Sequence, residues 1–252
     1  MANKIIGVMG AMPEEIAGVV SLINNPQSIT IGRRIYTSGT INGIKTVVVF
    51  SRWGKVAAAA TVSALIHHFN ITELIFTGVA GAINPELQIG DVVIGKRLIQ
   101  HDMDARPLMQ LFEIPLLGKT YFEIDDSQLA AAQQAITFLL KNEYLINSIG
   151  TNALSEFGIS KPTLHIGDIA SGDKFFANNT DKENLLAALP DVLCVEMEGA
   201  AAAQVCYEYN IPCTVIRTIS DTADDTSHID FPAFIREISS KYSVAIINAM
   251  LS

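Results

Sequence analysis

Short apolar runs with strand character alternate along the chain with longer segments of helical character. Strands are predicted at residues 4–9, 29–31, 33–38, 46–50, 74–77, 91–99, 163–170, 193–197 and 213–220. Helices are predicted from residue 13 onwards, from 200 onwards, and at 54–69, 126–141, 180–189 and 231–251. The alanine-rich segment 54–69 is expected to be buried on most faces, and residues 78–81 to form a glycine turn.

The order of these elements predicts the fold class. Strands that alternate with helices are typical of an α/β domain with helices on both faces of the sheet. Asn42-Gly43 is a strong hairpin signal, so the sheet is expected to be mixed. No linker or repeat divides the chain, and residues 1–252 are therefore predicted to form a single three-layer α/β/α domain with a central mixed β-sheet. Residues 106–121 have no clear period and are predicted to form a long loop.

Composition and charge narrow the function classes. With 49% hydrophobic and 17% charged residues among 252, the chain can bury a substantial core. A net charge of −9 without a Lys/Arg cluster argues against nucleic-acid binding and favours a small neutral or cationic ligand. The three cysteines give no disulfide framework, and neither a signal peptide nor a membrane-spanning run is recognised. We therefore expect a cytoplasmic protein without a membrane partner.

In sheets of this kind, ligands bind outside the carboxyl ends of the strands. The segments that follow the predicted strands carry carboxylates, aromatics and glycines, with little positive charge; they are residues 10–15, 51–54, 78–81, 171–176, 196–198 and 220–221. A phosphate site would require Lys or Arg beside its glycine turn, whereas the first turn here carries Glu14 and Glu15. This distribution favours acid–base chemistry on a neutral group. Dinucleotide, Walker and Gly-x-Ser-x-Gly motifs are not found.

Two acids occur in an apolar run where a strand pattern gives way to a helix pattern. Burying a carboxylate without a partner costs several kcal/mol, so an acid at this position implies a buried partner or a ligand. The helix dipole accounts for one acid, but Glu196 and Glu198 are only two residues apart. We expect this stretch to form the floor of a site. The histidines have no spaced partner cluster, and no metal site is predicted.

Taken together, the segments at the strand ends are similar to those of a known family. They are Gly10-Ala11-Met12-Pro13-Glu14-Glu15, Gly54-Lys55-Val56-Ala57-Ala58-Ala59, Thr77-Gly78-Val79-Ala80-Gly81, Ile89-Gly90-Asp91-Val92-Val93, Ser171-Gly172-Asp173, Val195-Glu196-Met197-Glu198 and Ser220-Asp221. In order and spacing the chain resembles the bacterial 5′-methylthioadenosine/S-adenosylhomocysteine nucleosidases, in the nucleoside phosphorylase superfamily. The resemblance implies a nucleoside phosphorylase/hydrolase-like fold and hydrolysis of the bond between adenine and a 5′-thio-substituted ribose. It implies no metal and no organic cofactor.

The resemblance also implies roles for particular residues. Asp221 would protonate adenine N7, and Glu15 would activate the attacking water, although helix phase alone does not distinguish Glu15 from Glu14. Glu198 would hold the ribose hydroxyls, and Glu196 would be structural. The other residues implied to contact the substrate, or to orient the acids and the water, are Met12, Trp53, Gly81, Phe175, Phe176, Met197, Arg217, Ser220 and Phe231.

Two departures from the family pattern affect specificity. Val79 stands where many members have serine, and Ala82 replaces the last glycine of the same motif. The stretch 104–121 also differs, and in the family an equivalent loop from a second subunit closes the 5′ end of the pocket, which implies a homodimer. The alternatives left open are a futalosine nucleosidase, a purine nucleoside phosphorylase, and a non-catalytic nucleoside-binding domain.

Overall fold

The computed structural model describes residues 4–141, 144–225 and 227–252. The strands are β1 (Ile5–Gly10), β2 (Asn24–Ile31), β3 (Arg34–Ile41), β4 (Ile44–Phe50), β5 (Glu73–Ala82), β6 (Val92–Gln100), β7 (Tyr121–Glu123), β8 (Leu164–Ser171), β9 (Val192–Glu196) and β10 (Cys213–Asp221). The α-helices are α1 (Pro13–Ser21), α2 (Lys55–Phe69), α3 (Asp126–Lys141), α4 (Tyr144–Ile149), α5 (Thr151–Glu156), α6 (Asn179–Ala188), α7 (Gly199–Glu208), α8 (Ser227–Phe234) and α9 (Ser240–Met250).

All ten strands belong to one mixed sheet. Its order is β10-β6-β8-β9-β5-β1-β4-β3-β2, with β7 paired to β6. Because β5 also pairs with β10, the strands β5, β10, β6, β8 and β9 close into a ring at one end of the sheet. The predicted α/β domain with a central mixed sheet is confirmed, and the hairpin at Asn42-Gly43 joins the antiparallel strands β3 and β4.

The ring brings several strand ends together. In β10, Asp221 is opposite Gly81 of β5, and Gly81 is opposite Val195 of β9. Ser171, the last residue of β8, is opposite Glu196, the last residue of β9. Four strands therefore end at one rim, although β9 runs antiparallel to β5.

Successive residues of the central strands point into two separate cores. In β5, Leu74 and Phe76 belong to the core that also contains residues of α2 and α7, whereas Ile75 belongs to the core on the α1 and α9 side. This follows from the two-residue period of a strand, which places alternate side chains on opposite faces. Helices therefore cover both faces of the sheet.

Several predicted elements differ from the structure. Helix α2 buries a single stripe, whereas Val56 is 81% exposed, so the prediction that it is buried on most faces was wrong. Its alanines make every face apolar in sequence, but only one face lies on the sheet. Residues 78–81 continue β5 and do not form a turn. The segment predicted as one helix at 231–251 is divided by a π-helix, Ile235–Ser239, and α8 begins earlier, at Ser227.

Helices α4 and α5 were not predicted, because each has only six residues and gives little periodicity. Residues 106–120 form turns with one isolated bridge between Ile114 and Lys119, in agreement with the predicted loop, and Tyr121 begins β7. Within the described residues, no helix is long and apolar enough to cross a membrane.

Candidate active site

A cleft of about 550 Å³, partly open to solvent, lies at the rim where the strands end. The described residues that line it are Ala11, Met12, Glu15, Trp53, Val79, Ala80, Gly81, Lys174, Phe175, Phe176, Val195, Glu196, Met197, Glu198, Ser220, Asp221, Ala223 and Phe231. All of the predicted site residues except Arg217 are among them.

Glu15 lies in the first turn of α1 and is 1% exposed, whereas Glu14 points to solvent. Oε2 of Glu15 accepts hydrogen bonds from the N–H groups of Ala11 (2.5 Å) and Met12 (3.0 Å). Its Oε1 accepts one from the Val79 N–H of β5, at 3.2 Å. Of the two glutamates that the sequence offered as the base, Glu15 therefore lines the cleft and Glu14 does not.

Gly78 allows this approach of α1 to β5. A Cβ atom at Gly78 would lie 2.9 Å from Oε1 of Glu15, closer than real Cβ atoms come to another heavy atom. Residues 78–81 are thus glycine-rich because the strand passes directly beside a buried carboxylate.

Burial of Glu15 raises its pKa to about 6, although the positive charge of Arg217 and the three backbone N–H groups lower it. A carboxyl group with this pKa is mostly ionised at pH 7 and exchanges protons readily near neutrality. That is the property a general base requires.

We expect the pH dependence of kcat/KM to report the ionisation of Glu15. If the ionised form of Glu15 is the active one, kcat/KM should have an acidic limb, along which it rises as the pH increases through about 6. Initial rates between pH 4.5 and 8.5 would measure this. A kcat/KM that stays constant from pH 7 down to pH 4.5 would mean that Glu15 is not the titrating base.

Asp221 is the last residue of β10 and is 2% exposed. Ser220 Oγ donates a hydrogen bond to its Oδ2 at 2.8 Å, and the Ala223 N–H donates one to Oδ1 at 2.9 Å. A Cβ atom at Gly81 would lie 2.9 Å from Oδ1. Two local donors and a glycine thus hold the carboxyl group in a defined orientation at the cleft wall.

The two acids that follow β9 have different surroundings. Glu196 forms a buried ion pair with Arg217, whose Nη2 lies 2.6 Å from Oε2. It also accepts hydrogen bonds from the Ser171 hydroxyl and from the N–H groups of Gly199 and Glu198. These contacts tie the start of α7 to β8 and β10, so the main role of Glu196 is structural even though it touches the cleft.

Glu198 accepts a hydrogen bond at 2.7 Å from the Gly54 N–H to its Oε1. Its Oε2 has no donor among the described residues of the protein. Burial and then the negative charge of Glu196 raise the pKa of Glu198, and the Gly54 N–H and the Arg217 charge oppose them. The carboxyl group therefore lies at the cleft with one oxygen held by the protein.

Arg217, which was grouped with the substrate-binding residues, does not line the cleft, and its implied role of orienting the acids or the water stays a prediction. It is 1% exposed, and its guanidinium lies 4.0 Å from the centre of the Phe76 ring. Nη1 donates hydrogen bonds to the carbonyl groups of Phe76 and Ile216. Arg217 acts behind the wall, where it pairs with Glu196 and where its charge lowers the pKa of Glu15 and of Glu198.

Aromatic side chains form the apolar part of the cleft. Phe231 contacts Phe175 and Trp53 edge to face, with centroid distances of 5.4 and 6.1 Å. Phe176 is buried and packs against His101 at 5.3 Å. Phe175 and Trp53 remain 38% and 54% exposed, so flat apolar surface is available to a ligand at the mouth of the cleft.

The sequence did not single out Lys174, although it lies beside Phe175. Its ammonium group is paired with Asp181 at 2.7 Å. The small residues Ala11, Ala80 and Ala223 were missed as well, because alanine carries no chemical signal. Within the described part of the chain, no group of three or more His, Cys, Asp or Glu side chains could hold a metal ion.

Comparisons with known proteins find similarity over nearly the whole chain. The family model of the phosphorylase superfamily matches residues 5–252. An aminodeoxyfutalosine nucleosidase of Helicobacter pylori (strain ATCC 700392 / 26695) is 32% identical over 247 residues, 98% of this chain and 97% of the relative.

Two solved structures are similar over nearly the whole chain. One is a 5′-methylthioadenosine/S-adenosylhomocysteine nucleosidase from S. pneumoniae with the transition-state inhibitor MT-ImmA, with a TM-score of 0.83, 35% identity and 98% coverage of both chains. The other is an S-adenosylhomocysteine nucleosidase from Streptococcus pyogenes in complex with 5-methylthiotubericidin. It has a TM-score of 0.86 and 31% identity, and the match covers 100% of this chain and 97% of that one.

Proposed function

The chain belongs to the phosphorylase superfamily, and on that basis we propose that it is a nucleosidase that hydrolyses the N-glycosidic bond of 5′-methylthioadenosine and S-adenosylhomocysteine. The observation that carries the proposal is the placement of three separate carboxyl groups, Glu15, Glu198 and Asp221, around one aromatic-walled cleft. Each is contributed by a different strand end and has its own hydrogen-bond donors.

In the proposed reaction, the bond between C1′ of the ribose and N9 of adenine breaks and leaves an oxocarbenium-like sugar. Asp221, in its protonated form, delivers a proton to N7 as the purine departs. Glu15 accepts a proton from the water that attacks C1′, and its negative charge stabilises the cationic sugar. Solvent then restores the proton on Asp221 and removes it from Glu15.

The remaining groups would bind the substrate. Glu198 Oε2 would accept hydrogen bonds from the ribose hydroxyls. Phe175 would stack on adenine, with the Phe176 backbone at its polar edge. Met12, Trp53 and Phe231 would surround the 5′-thio substituent, and no metal or organic cofactor would take part.

A phosphorylase is the nearest alternative reaction. It would require an anion site beside the ribose, but among the described residues that line the cleft the basic side chain is Lys174, which is paired with Asp181. In the binding mode proposed above, Glu15 would occupy the side from which phosphate would attack. We therefore expect adenine release in phosphate-free buffer, with free thioribose and not ribose 1-phosphate as the second product.

A futalosine nucleosidase is a second candidate within hydrolysis, since the relative from H. pylori carries that name. Val79, where many family members have serine, makes the cleft wall more apolar near the sugar. Adenine release from methylthioadenosine, S-adenosylhomocysteine and aminodeoxyfutalosine, compared at equal concentration, separates the two. No adenine from any of them would exclude nucleosidase activity and favour a non-catalytic nucleoside-binding domain.

We also propose a cytoplasmic homodimer, in which the loop 104–121 of one subunit closes the 5′ end of the partner's cleft. In support, Leu108 and Leu116 of this loop are 84% and 93% exposed, so they would supply apolar area to such a contact. Sedimentation equilibrium would test the assembly, and a monomer at micromolar concentration would contradict it.

A further inference from the structure

Lys55, Asp102 and Asp173, which do not line the cleft, form a closed ring of polar contacts that the proposed reaction does not use. The Lys55 N–H donates to Asp173 Oδ1 at 2.8 Å, and the Asp173 N–H donates to Asp102 Oδ2 at 2.9 Å. The Lys55 ammonium closes the ring on Asp102 Oδ1 at 2.5 Å. The members of this ring, which we call the Lys55 ring, come from the start of α2 and from the segments that follow β6 and β8.

The Lys55 ring contacts the chain at the start of α2, directly after Gly54. Gly54, the residue at the helix N-cap, has φ +93° and no side chain with which to cap the helix. The cap is supplied from another segment by Asp173, and a Cβ atom at Gly54 would lie 3.0 Å from its Oδ1. The Gly54 N–H, one residue before the amide that donates to Asp173, donates to Glu198 Oε1 at 2.7 Å.

Glu198 depends on that amide. The Gly54 N–H is the protein donor to Glu198 Oε1. Together with the charge of Arg217, it keeps the pKa of Glu198 from rising further under the influence of burial and of the Glu196 charge. A shift of the Gly54 N–H would rotate the Glu198 carboxyl group and would also raise its pKa. A misplacement of about 1 Å at such a group can cost about 100-fold in rate.

The charges of the ring suit a positioning role. The Lys55 side chain is 16% exposed and that of Asp102 32%, so the ion pair is only partly shielded from solvent. Burial would raise the pKa of Asp102, but the Lys55 ammonium and the Asp173 N–H hold it below its usual value. The carboxylate of Asp102 thus stays ionised at neutral pH, as its pairing with Lys55 requires.

We propose that Lys55, Asp102 and Asp173 are positioning residues that hold the Gly54 amide, and through it Glu198, in the orientation that recognises the ribose hydroxyls. This inference rests on the proposed nucleosidase function. It adds that the preference for a ribose diol depends on a lysine–aspartate pair that does not touch the substrate.

The test compares Asp102→Asn and Lys55→Met with two matched controls, Glu73→Gln and Lys4→Met. The controls break a Lys–carboxylate pair, 2.9 Å long and with a Glu73 side chain 9% exposed, at the opposite end of β5 from the cleft. The readout is the ratio of kcat/KM for methylthioadenosine to that for its 2′,3′-dideoxy analogue, with Tm measured in parallel.

We expect both ring variants to lower kcat/KM for the ribonucleoside about 10-fold and to change the dideoxy value less than about 3-fold, so that the ratio collapses. Lys55→Arg should restore most of the ratio. In a Glu198→Gln background the ring substitutions should add nothing further, since coupled residues are not additive. Both control variants should keep the wild-type ratio.

Equal losses on both nucleosides, or an unchanged ratio, would overturn the proposal. If the wild-type protein releases no adenine, the proposed function fails separately. The ring is then judged by calorimetric Kd values for adenosine and 2′,3′-dideoxyadenosine, with the same expected collapse. A ring variant with a lowered Tm is measured below its transition, so that the ratio still decides.

Discussion

Asp221→Asn should lower kcat for adenine release by about 100-fold or more, the usual scale for loss of a general acid. Asparagine retains the size of the side chain and an oxygen for the Ala223 N–H, but it cannot pass a proton to N7. Substrate affinity should change little, because stacking on Phe175 and the contacts of Glu198 are untouched. Single-turnover rates and equilibrium binding would separate the two effects.

The matched control is Asp225→Asn, which changes an exposed carboxylate four residues further along that accepts a hydrogen bond from Asn179. It should retain wild-type kcat. If Asp221→Asn binds normally and turns over normally, Asp221 is not the acid. If it binds normally and loses turnover, a pure binding function is excluded.

Glu15→Gln should lower kcat by a similar factor, about 100- to 10,000-fold, because glutamine neither accepts the proton of water nor carries the charge that stabilises the sugar cation. Glutamine also has one acceptor oxygen where Glu15 accepts three backbone N–H bonds through two oxygens. Glu14→Gln is the matched control on the same helical turn, and it should be silent because Glu14 is exposed. A large loss in Glu14→Gln with none in Glu15→Gln would reverse the assignment.

The same variant tests the raised pKa through stability. A carboxyl group whose pKa rises from 4.5 in the unfolded chain to about 6 when folded binds more protons in the native state between these values. Its contribution to stability is therefore most favourable at low pH and is lost as the pH rises through about 6, by about 2 kcal/mol. Relative to wild type, Glu15→Gln should gain about 2 kcal/mol between pH 4.5 and 7 in denaturant titrations. A constant difference would contradict the raised pKa.

Much of the site was predictable because its polar residues come shortly after the ends of strands. Polar residues directly after apolar runs, read with the rule that ligands bind at carboxyl ends of strands, indicated Glu15, Glu198 and Asp221. Arg217 was misplaced for a related reason. It lies four residues before the end of β10, about 13 Å along a strand, so its side chain belongs to the core and not to the rim.

What could not be predicted depends on contacts between distant segments. Helix phase did not separate Glu14 from Glu15, because the difference lies in contacts with β5. The Val79 N–H donates to Glu15, and Gly78 has no side chain to block this approach. Similarly, the sequence indicated a turn at 78–81 from its glycines, whereas in the fold these glycines let a buried carboxyl group approach a strand. Closure of the sheet through β5 and β10 leaves no local signal either, since β5 forms pairs with three strands.

That closure has a consequence for how the protein acquires its cleft. The residues that line it extend from Ala11 to Phe231, so the cleft exists only after loops of more than a hundred residues have closed. Long-range strand pairing of this kind slows folding, because loop entropy is lost before contacts are gained. A nucleoside that binds only the finished cleft stabilises the entire domain, by about 2.7 kcal/mol at 100 times its Kd. Nucleoside binding during refolding should therefore appear with the last kinetic phase and never before it.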